Sequence, residues 1–312
     1  MTSTQIGTFS AEHLAGAAAV LQARHTGHLA QSPLLAPGDA RAALAGFWDK
    51  NGRSGAVAIR DGRVVGFVLA EIMAHPLVGH CAWVAHPGHA ADDGELLRDL
   101  YAAAAEVWVD SGADRHYVLV PAFARALEPW YRLGFGHMHV EALRPIALER
   151  ATALAGMTLR RGRRDDLENA EAIDLEIFRT QERSPSFSRL PLNRGARRDE
   201  WIEMDLDEDG LRYLVAERDG KTVGHTLIFR PEPVLGYPQD AAYLASTAVL
   251  EDMRGQGIGA ALVAGILSLA AEAGYRSVIT NWRMTNLSAS RFWPGQGFQP
   301  IYHRLHRALG SG

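Results

Sequence analysis

Arg254, Gly257 and Gly259 are the residues whose types and spacing most directly suggest chemistry in this 312-residue chain. They stand in the run Arg254-Gly255-Gln256-Gly257-Ile258-Gly259-Ala260, between a strand-like segment (243–249) and an apolar run (261–273) that Gly274 closes. Strand, glycine-rich turn and helix in that order make an anion cradle. Backbone N–H groups converge at the positive end of the helix dipole, and glycines let a phosphate approach the main chain. The run lacks the Gly-Lys-Ser/Thr ending of a Walker loop, and its G-x-G-x-G spacing is not the dinucleotide fingerprint G-x-G-x-x-G. A second cluster follows a short β-rich run (277–281). There Asn286, Ala289 and Phe292 recur at spacing three, and Gly297-Phe298 closes the segment.

Arg254, Gly257 and Gly259 fit Arg/Gln-x-x-Gly-x-Gly/Ala. This resembles the pyrophosphate loop of the GCN5-related N-acetyltransferases (GNAT), which hold acetyl-CoA. The second cluster resembles the family's N-x-x-A-x-x-(L/F)-Y-x-x-x-G-F, with one departure: Trp293 occupies the tyrosine slot. The resemblance implies that Val249, Leu250, Arg254, Gly255, Gln256, Gly257, Ile258, Gly259, Ala260, Asn286 and Trp293 contact acetyl-CoA.

The elements around these motifs repeat. Residues 58–66 echo 216–224, each reading as a β-hairpin with Asp-Gly at the turn. Residues 130–135 echo 293–298, both opening on Trp and closing on Gly-Phe. The expected fold is α/β with a mixed α+β sheet: two tandem GNAT folds, in a layout similar to mycothiol synthase. The domains are expected at 1–150 and 151–312, with the connection within 145–156. Ser10 is expected to cap a helix reaching about Ala30. Asp165 and Glu168 read as the start of a helix that runs through Ile173 and Ile177. Residues 181–198 read as loop with short helical pieces, a region that walls the acceptor pocket in the family.

The first copy reads as degenerate. Aligning Val84 with Val249 sets His89 against Arg254, Asp92 against Gly257 and Gly94 against Gly259, so a carboxylate replaces the permissive glycine. Phe123 stands against Asn286, and Pro129 is expected to interrupt the helix that follows.

Composition narrows the class. A net charge of −4 argues against nucleic acid as partner, and one cysteine, Cys81, excludes an intramolecular disulfide or a CxxC site. The first ten residues lack a signal-peptide layout and no apolar run reaches spanning length, so the expectation is a cytoplasmic protein without membrane contact. His137 and His139 share a strand face, but no third ligand has convincing spacing, so no metal is expected. The acidic run 203–209 reads as a solvated element end. Arg183, Arg189, Arg194, Arg197 and Arg198 either bind an acceptor carboxylate or keep a loop soluble.

The resemblance implies acetyl transfer to an amine, with the oxyanion held by a strand N–H at Val249 or Leu250. For the base, the residues leave open His225, itself equally a core histidine, or water ordered by Ser246 and Thr247. For the acid, Tyr302 is the candidate, with unaided thiolate release as the other route and Trp293 as wall packing. The expected function is an acetyl-CoA-dependent N-acetyltransferase of a small-molecule amine, active in the C-terminal half. The alternatives are a non-catalytic acyl-CoA sensor and a protein or peptide N-acetyltransferase.

Overall fold

The two Asp-Gly turns fold alike. Asp61 and Gly62 have φ of 52° and 73°, and Asp219 and Gly220 have 51° and 73°. Positive φ at both central residues matches the right-handed twist of the flanking strands. Each hairpin also carries one extra residue at the same place. Pairing steps from Ile59–Val64 to Ala58–Gly66 in the first, and from Glu217–Thr222 to Ala216–Gly224 in the second.

These hairpins belong to a computed structural model that describes residues 3–50, 52–75, 79–147, 154–188 and 194–310. In chain order the elements begin β1 (Gln5–Thr8), α1 (Leu14–Gln31), α2 (Ala40–Trp48), β2 (Arg53–Arg60), β3 (Arg63–His75), β4 (Gly79–Val84) and β5 (His89–Ala91). Then come α3 (Gly94–Asp110), β6 (Arg115–Pro121), α4 (Ala124–Arg132) and β7 (Gly136–Pro145). The second series is β8 (Met157–Arg161), α5 (Arg164–Glu182), α6 (Arg194–Ile202), β9 (Arg212–Arg218), β10 (Lys221–Phe229) and β11 (Ala241–Val249). It ends with α7 (Ile258–Glu272), β12 (Ser277–Arg283), α8 (Leu287–Gly295) and β13 (Gln299–Ala308).

The chain divides into two compact units. Unit 1 holds residues 1–140, 233–237 and 300–312, and unit 2 holds 141–232 and 238–299. The expected boundary at 150/151 lies outside the described residues. Unit 1 has the strand order β1-β2-β3-β4-β6-β13, with β5 against β3. Alternation along its strands feeds two cores. Ala56, Ala58, Val68 and Ala70 face Leu100, Trp108 and Trp130 of α3 and α4, whereas Val57, Phe67 and Leu69 face Leu21 and Leu44 of α1 and α2. Unit 2 runs β7-β12-β11-β10-β9-β8. Leu167, Trp201, Tyr213, Val215 and Leu227 form a core with α5 and α6 on one face, and α7 packs on the sheet through Leu262.

Three local expectations change. Helix α5 starts at Arg164, one residue before Asp165, because Asp166 rather than Asp165 closes it by accepting the Arg163 N–H at 2.7 Å. Pro129 does not interrupt α4: the helix runs through it, as α8 runs through Pro294. The caps of α3 and α7 are Asp93 and Gly257, so Asp93, not Asp92, is the counterpart of Gly257.

Candidate active site

Helix α7 begins without a side-chain cap. Its N-cap Gly257 sits in the left-handed region at φ 82°, after Gly255 at 76°. A Cβ added at Gly255 would meet nothing within 4 Å, and at Gly257 only Leu154, at 3.5 Å. Backbone conformation, not packing, therefore asks for glycine at both positions. Residues 254–257 are exposed, so the first N–H groups of the helix face outward with the dipole behind them. Arg254 holds the loop from below. Its guanidinium donates to Val249 O (3.1 Å), Thr180 Oγ1 (3.1 Å) and Glu176 Oε2 (3.0 Å), and Glu176 is buried. Gln256 Oε1 accepts from Arg218 at 2.5 Å.

The sheet opens beside this loop. Strands β11 and β12 pair in parallel only from Ala241–Ser277 to Leu244–Thr280. At the point where they part, β11 bulges: Leu244 and Ser246 pair with Ile228 and Leu227, which leaves Ala245 unpaired and exposed. A bulge re-aims side chains and ends pairing, and the result is a wedge between the strands. The two oxyanion donors expected from the sequence now differ. Leu250 N–H is used, donating to Val223 O at 3.0 Å. Alternation along an antiparallel pair then turns the N–H of Val249, opposite Gly224, away from β10 and into the wedge.

Asn286 is the N-cap of α8, its Oδ1 accepting the Ala289 N–H at 3.1 Å. Phe123 caps the matching α4 without a side-chain bond. Gly259, in the first turn of α7, would bring a Cβ within 3.5 Å of Phe292, so α7 and α8 approach closely there. Ile258 is buried and Ala260 half-buried. Trp293 is buried, edge-on to Phe298 at 5.2 Å and 85°. Its first-half counterpart makes the same contact, with Trp130 and Phe135 at 5.2 Å and 80°. Arg144 of β7 donates to Gln296 O at the end of α8.

The expected base and acid lie inside the protein. His225 is fully buried, stacked on Trp201 at 4.9 Å, with Nδ1 3.2 Å from Tyr213 Oη and Nε2 3.4 Å from Ser246 Oγ. Burial lowers its pKa to about 4, although Asp174 pulls the other way. Ser246 is turned inward too, donating to Asp174 Oδ1 at 2.7 Å. Thr247 is half-buried, 2.8 Å from Thr226 Oγ1. Tyr302 belongs to unit 1, where it is fully buried, donates to Leu235 O at 3.1 Å and meets the rings of His28 and His86. These contacts give the acid assignment no support: the phenol is held in the core of unit 1.

Residues 181–188 lie at the surface of unit 2. Arg183 pairs with Glu251, and Ser186 Oγ lies 2.8 Å from Thr285 Oγ1. Arg189 lies outside the described residues, as do the side chains of Arg194 and Arg197; Arg198 is exposed. Asp174, Glu176 and Arg218 were not among the residues singled out from the sequence. The contacts that tie them to Ser246, Arg254 and Met253 span 35 or more positions, which no short-range spacing shows. His137 stacks on His303 at 4.0 Å, and among the described residues no group of three His, Cys, Asp or Glu is set to hold a metal.

Among the described residues, unit 1 shows neither the uncapped helix start nor the open parting of strands seen in unit 2. Asp93 Oδ1 accepts the Leu96 N–H at 2.8 Å, so α3 is capped by its own carboxylate. Beyond the Val84–Val118 pair, where β4 and β6 part, the buried His89 ring reaches Leu119 O at 3.0 Å and packs on Trp130.

Residues 175–298, which contain the cradle, the bulge and α8, match the acetyltransferase (GNAT) family. A phosphinothricin N-acetyltransferase from Alcaligenes faecalis is 33% identical over 132 residues, 41% of this chain, and the match spans 62% of that relative's length. The fold is found along nearly the whole chain in a GCN5-related N-acetyltransferase from Sphaerobacter thermophilus. The TM-score is 0.68 at 16% identity, covering 99% of this chain and 96% of that one. A tandem GNAT protein from the clavulanic acid biosynthesis pathway gives a TM-score of 0.52 at 17% identity, over 99% of this chain and 100% of that one. The acetyltransferase fold thus accounts for both series of elements. No helix among the described residues is long and apolar enough to cross a membrane.

Proposed function

We propose that the protein is an acetyl-CoA-dependent N-acetyltransferase of a small-molecule amine in the cytoplasm, active in unit 2 alone. The observation that carries this is the contrast between two helix starts: α7 opens on uncapped N–H groups at Gly257, whereas α3 is closed by Asp93. The residues fit the cosubstrate. Gly255 and Gly257 supply the backbone turn for a pyrophosphate, and Arg254 fixes the loop through Glu176. When bound, acetyl-CoA supplies an activated thioester whose acetyl group passes to the amine, forming C–N, breaking C–S and releasing the thiol.

Val249 N–H, turned into the wedge, donates to the oxygen on which charge develops. Thr247, beside the bulge, orients the water that takes the proton from the acceptor ammonium. His225 stays neutral in the core and supports β11 through Ser246. The thiol leaves as thiolate, since its pKa lies near 8.5 and Trp293 cannot give up a proton.

A second reading, an acyl-CoA sensor without turnover, is favoured by the enclosure of both His225 and Tyr302. Incubation with acetyl-CoA and a panel of amines, phosphinothricin among them, separates the two. Thiol release that depends on an amine supports the enzyme; binding without release on any amine supports the sensor.

A further inference from the structure

We propose that unit 1 carries a site of its own for a small oxyanion, a carboxylate or phosphate group, built on Arg24 and His28. Arg24, on α1, sends Nη1 to His89 O and Nη2 to His86 O, both at 2.6 Å, and its Nε has no hydrogen-bond partner. Among the described residues no carboxylate pairs with it. Its guanidinium lies deep, and burial lowers its pKa to about 10. Two carbonyl dipoles offset such a charge only in part, and a buried cation without a counter-ion costs several kcal/mol.

The surroundings add donors and no anion. One turn along α1, His28 is 2% exposed and its Nε2 has no partner. Its ring meets Tyr302 at 4.8 Å, and Tyr302 in turn meets His86 at 4.4 Å. Burial and then the Arg24 charge hold the His28 pKa near 3, despite the Ile301 carbonyl. His86 also meets Tyr237, at 5.7 Å.

Arg24, His86 and Tyr237 are each partly accessible, so the group stands at the edge of the core of unit 1 rather than sealed within it. A water could satisfy the orphaned Nε–H but would leave the charge unbalanced. A planar guanidinium with its Nε–H and further Nη hydrogens unused matches a carboxylate or phosphate edge. The site is not a second acyl-CoA cradle, because α3 is capped by Asp93 and His89 fills the parting of β4 and β6.

The test uses the full chain carrying Gly257→Asp, which removes the unit 2 cradle as a competing anion site. Inorganic phosphate and, separately, acetate are titrated at constant ionic strength, with labelled histidine side chains observed by NMR. The His28 ring resonances are expected to shift saturably with one of the anions while those of His13 stay put. Which anion acts distinguishes the two chemistries. Arg24→Gln should weaken that response about tenfold or more, and Arg24→Lys, which keeps the charge, by less. Unshifted His28 resonances with both anions overturn the site, and they do so without any Arg24 variant having to fold. An equal response in Arg24→Gln also overturns it.

Discussion

Asp93 accepts the Leu96 N–H at 2.8 Å, while the equivalent cap position of the other half is Gly257 with nothing to offer. One carboxylate thus decides which helix start faces solvent with its N–H groups free. Asp93→Ala should cost about 1 kcal/mol of stability, read as a lower midpoint in denaturant. It should not create a second acyl-CoA site, because His89 still bonds Leu119 O. A second site appearing in this variant would show that the cap alone had closed unit 1.

The Leu250–Val223 hydrogen bond sets up a paired test on the backbone. Val249→Pro removes an N–H that faces the wedge, so turnover should fall by roughly 10²- to 10³-fold with acetyl-CoA affinity kept. Leu250→Pro removes a ladder bond instead and should lower stability. If both variants merely lose stability, Val249 is not the oxyanion donor.

Tyr302→Phe removes the bond to Leu235 O and should cost about 1 kcal/mol in unfolding, with turnover changed little. Trp293→Phe should likewise leave turnover nearly intact, because the ring packs on Phe298. If either variant turns over roughly a hundredfold more slowly, or worse, with acetyl-CoA affinity preserved, that residue is restored as the proton donor.

The protein should lose stability in mild acid. Burial lowers the pKa of His225, His116 and His303 to about 4 and that of His28 to about 3. A histidine whose folded pKa is depressed binds its proton more readily when unfolded. Stability is then full above the unfolded value near 6.5 and drains away as pH falls toward 4. Denaturant midpoints between pH 7.5 and 4.5 should decline accordingly, and a flat profile would mean that these rings are not buried neutral.

Much of this was legible in the sequence because it rests on short-range rules. The Asp-Gly turns announced both hairpins, the glycine run announced the start of α7, and the Trp…Gly-Phe echo marked equivalent helix ends. The Asn286 cap follows from the same local chemistry. What escaped depends on residues far apart. Glu176 meets Arg254 across 78 positions, and Tyr302, near the second motif in sequence, folds among His28, His86 and Leu235. The one-residue slip between Asp92 and Asp93 arose because an ungapped comparison cannot see that β5 lies between β4 and α3.

The central claim is that one half of this tandem holds the acyl donor. Calorimetric titration of the full chain with acetyl-CoA tests it most directly. One tight site per chain is expected, lost in Gly257→Asp, where a carboxylate replaces the open cap as it does in unit 1. Two sites per chain, or unchanged tight binding in Gly257→Asp, would contradict it.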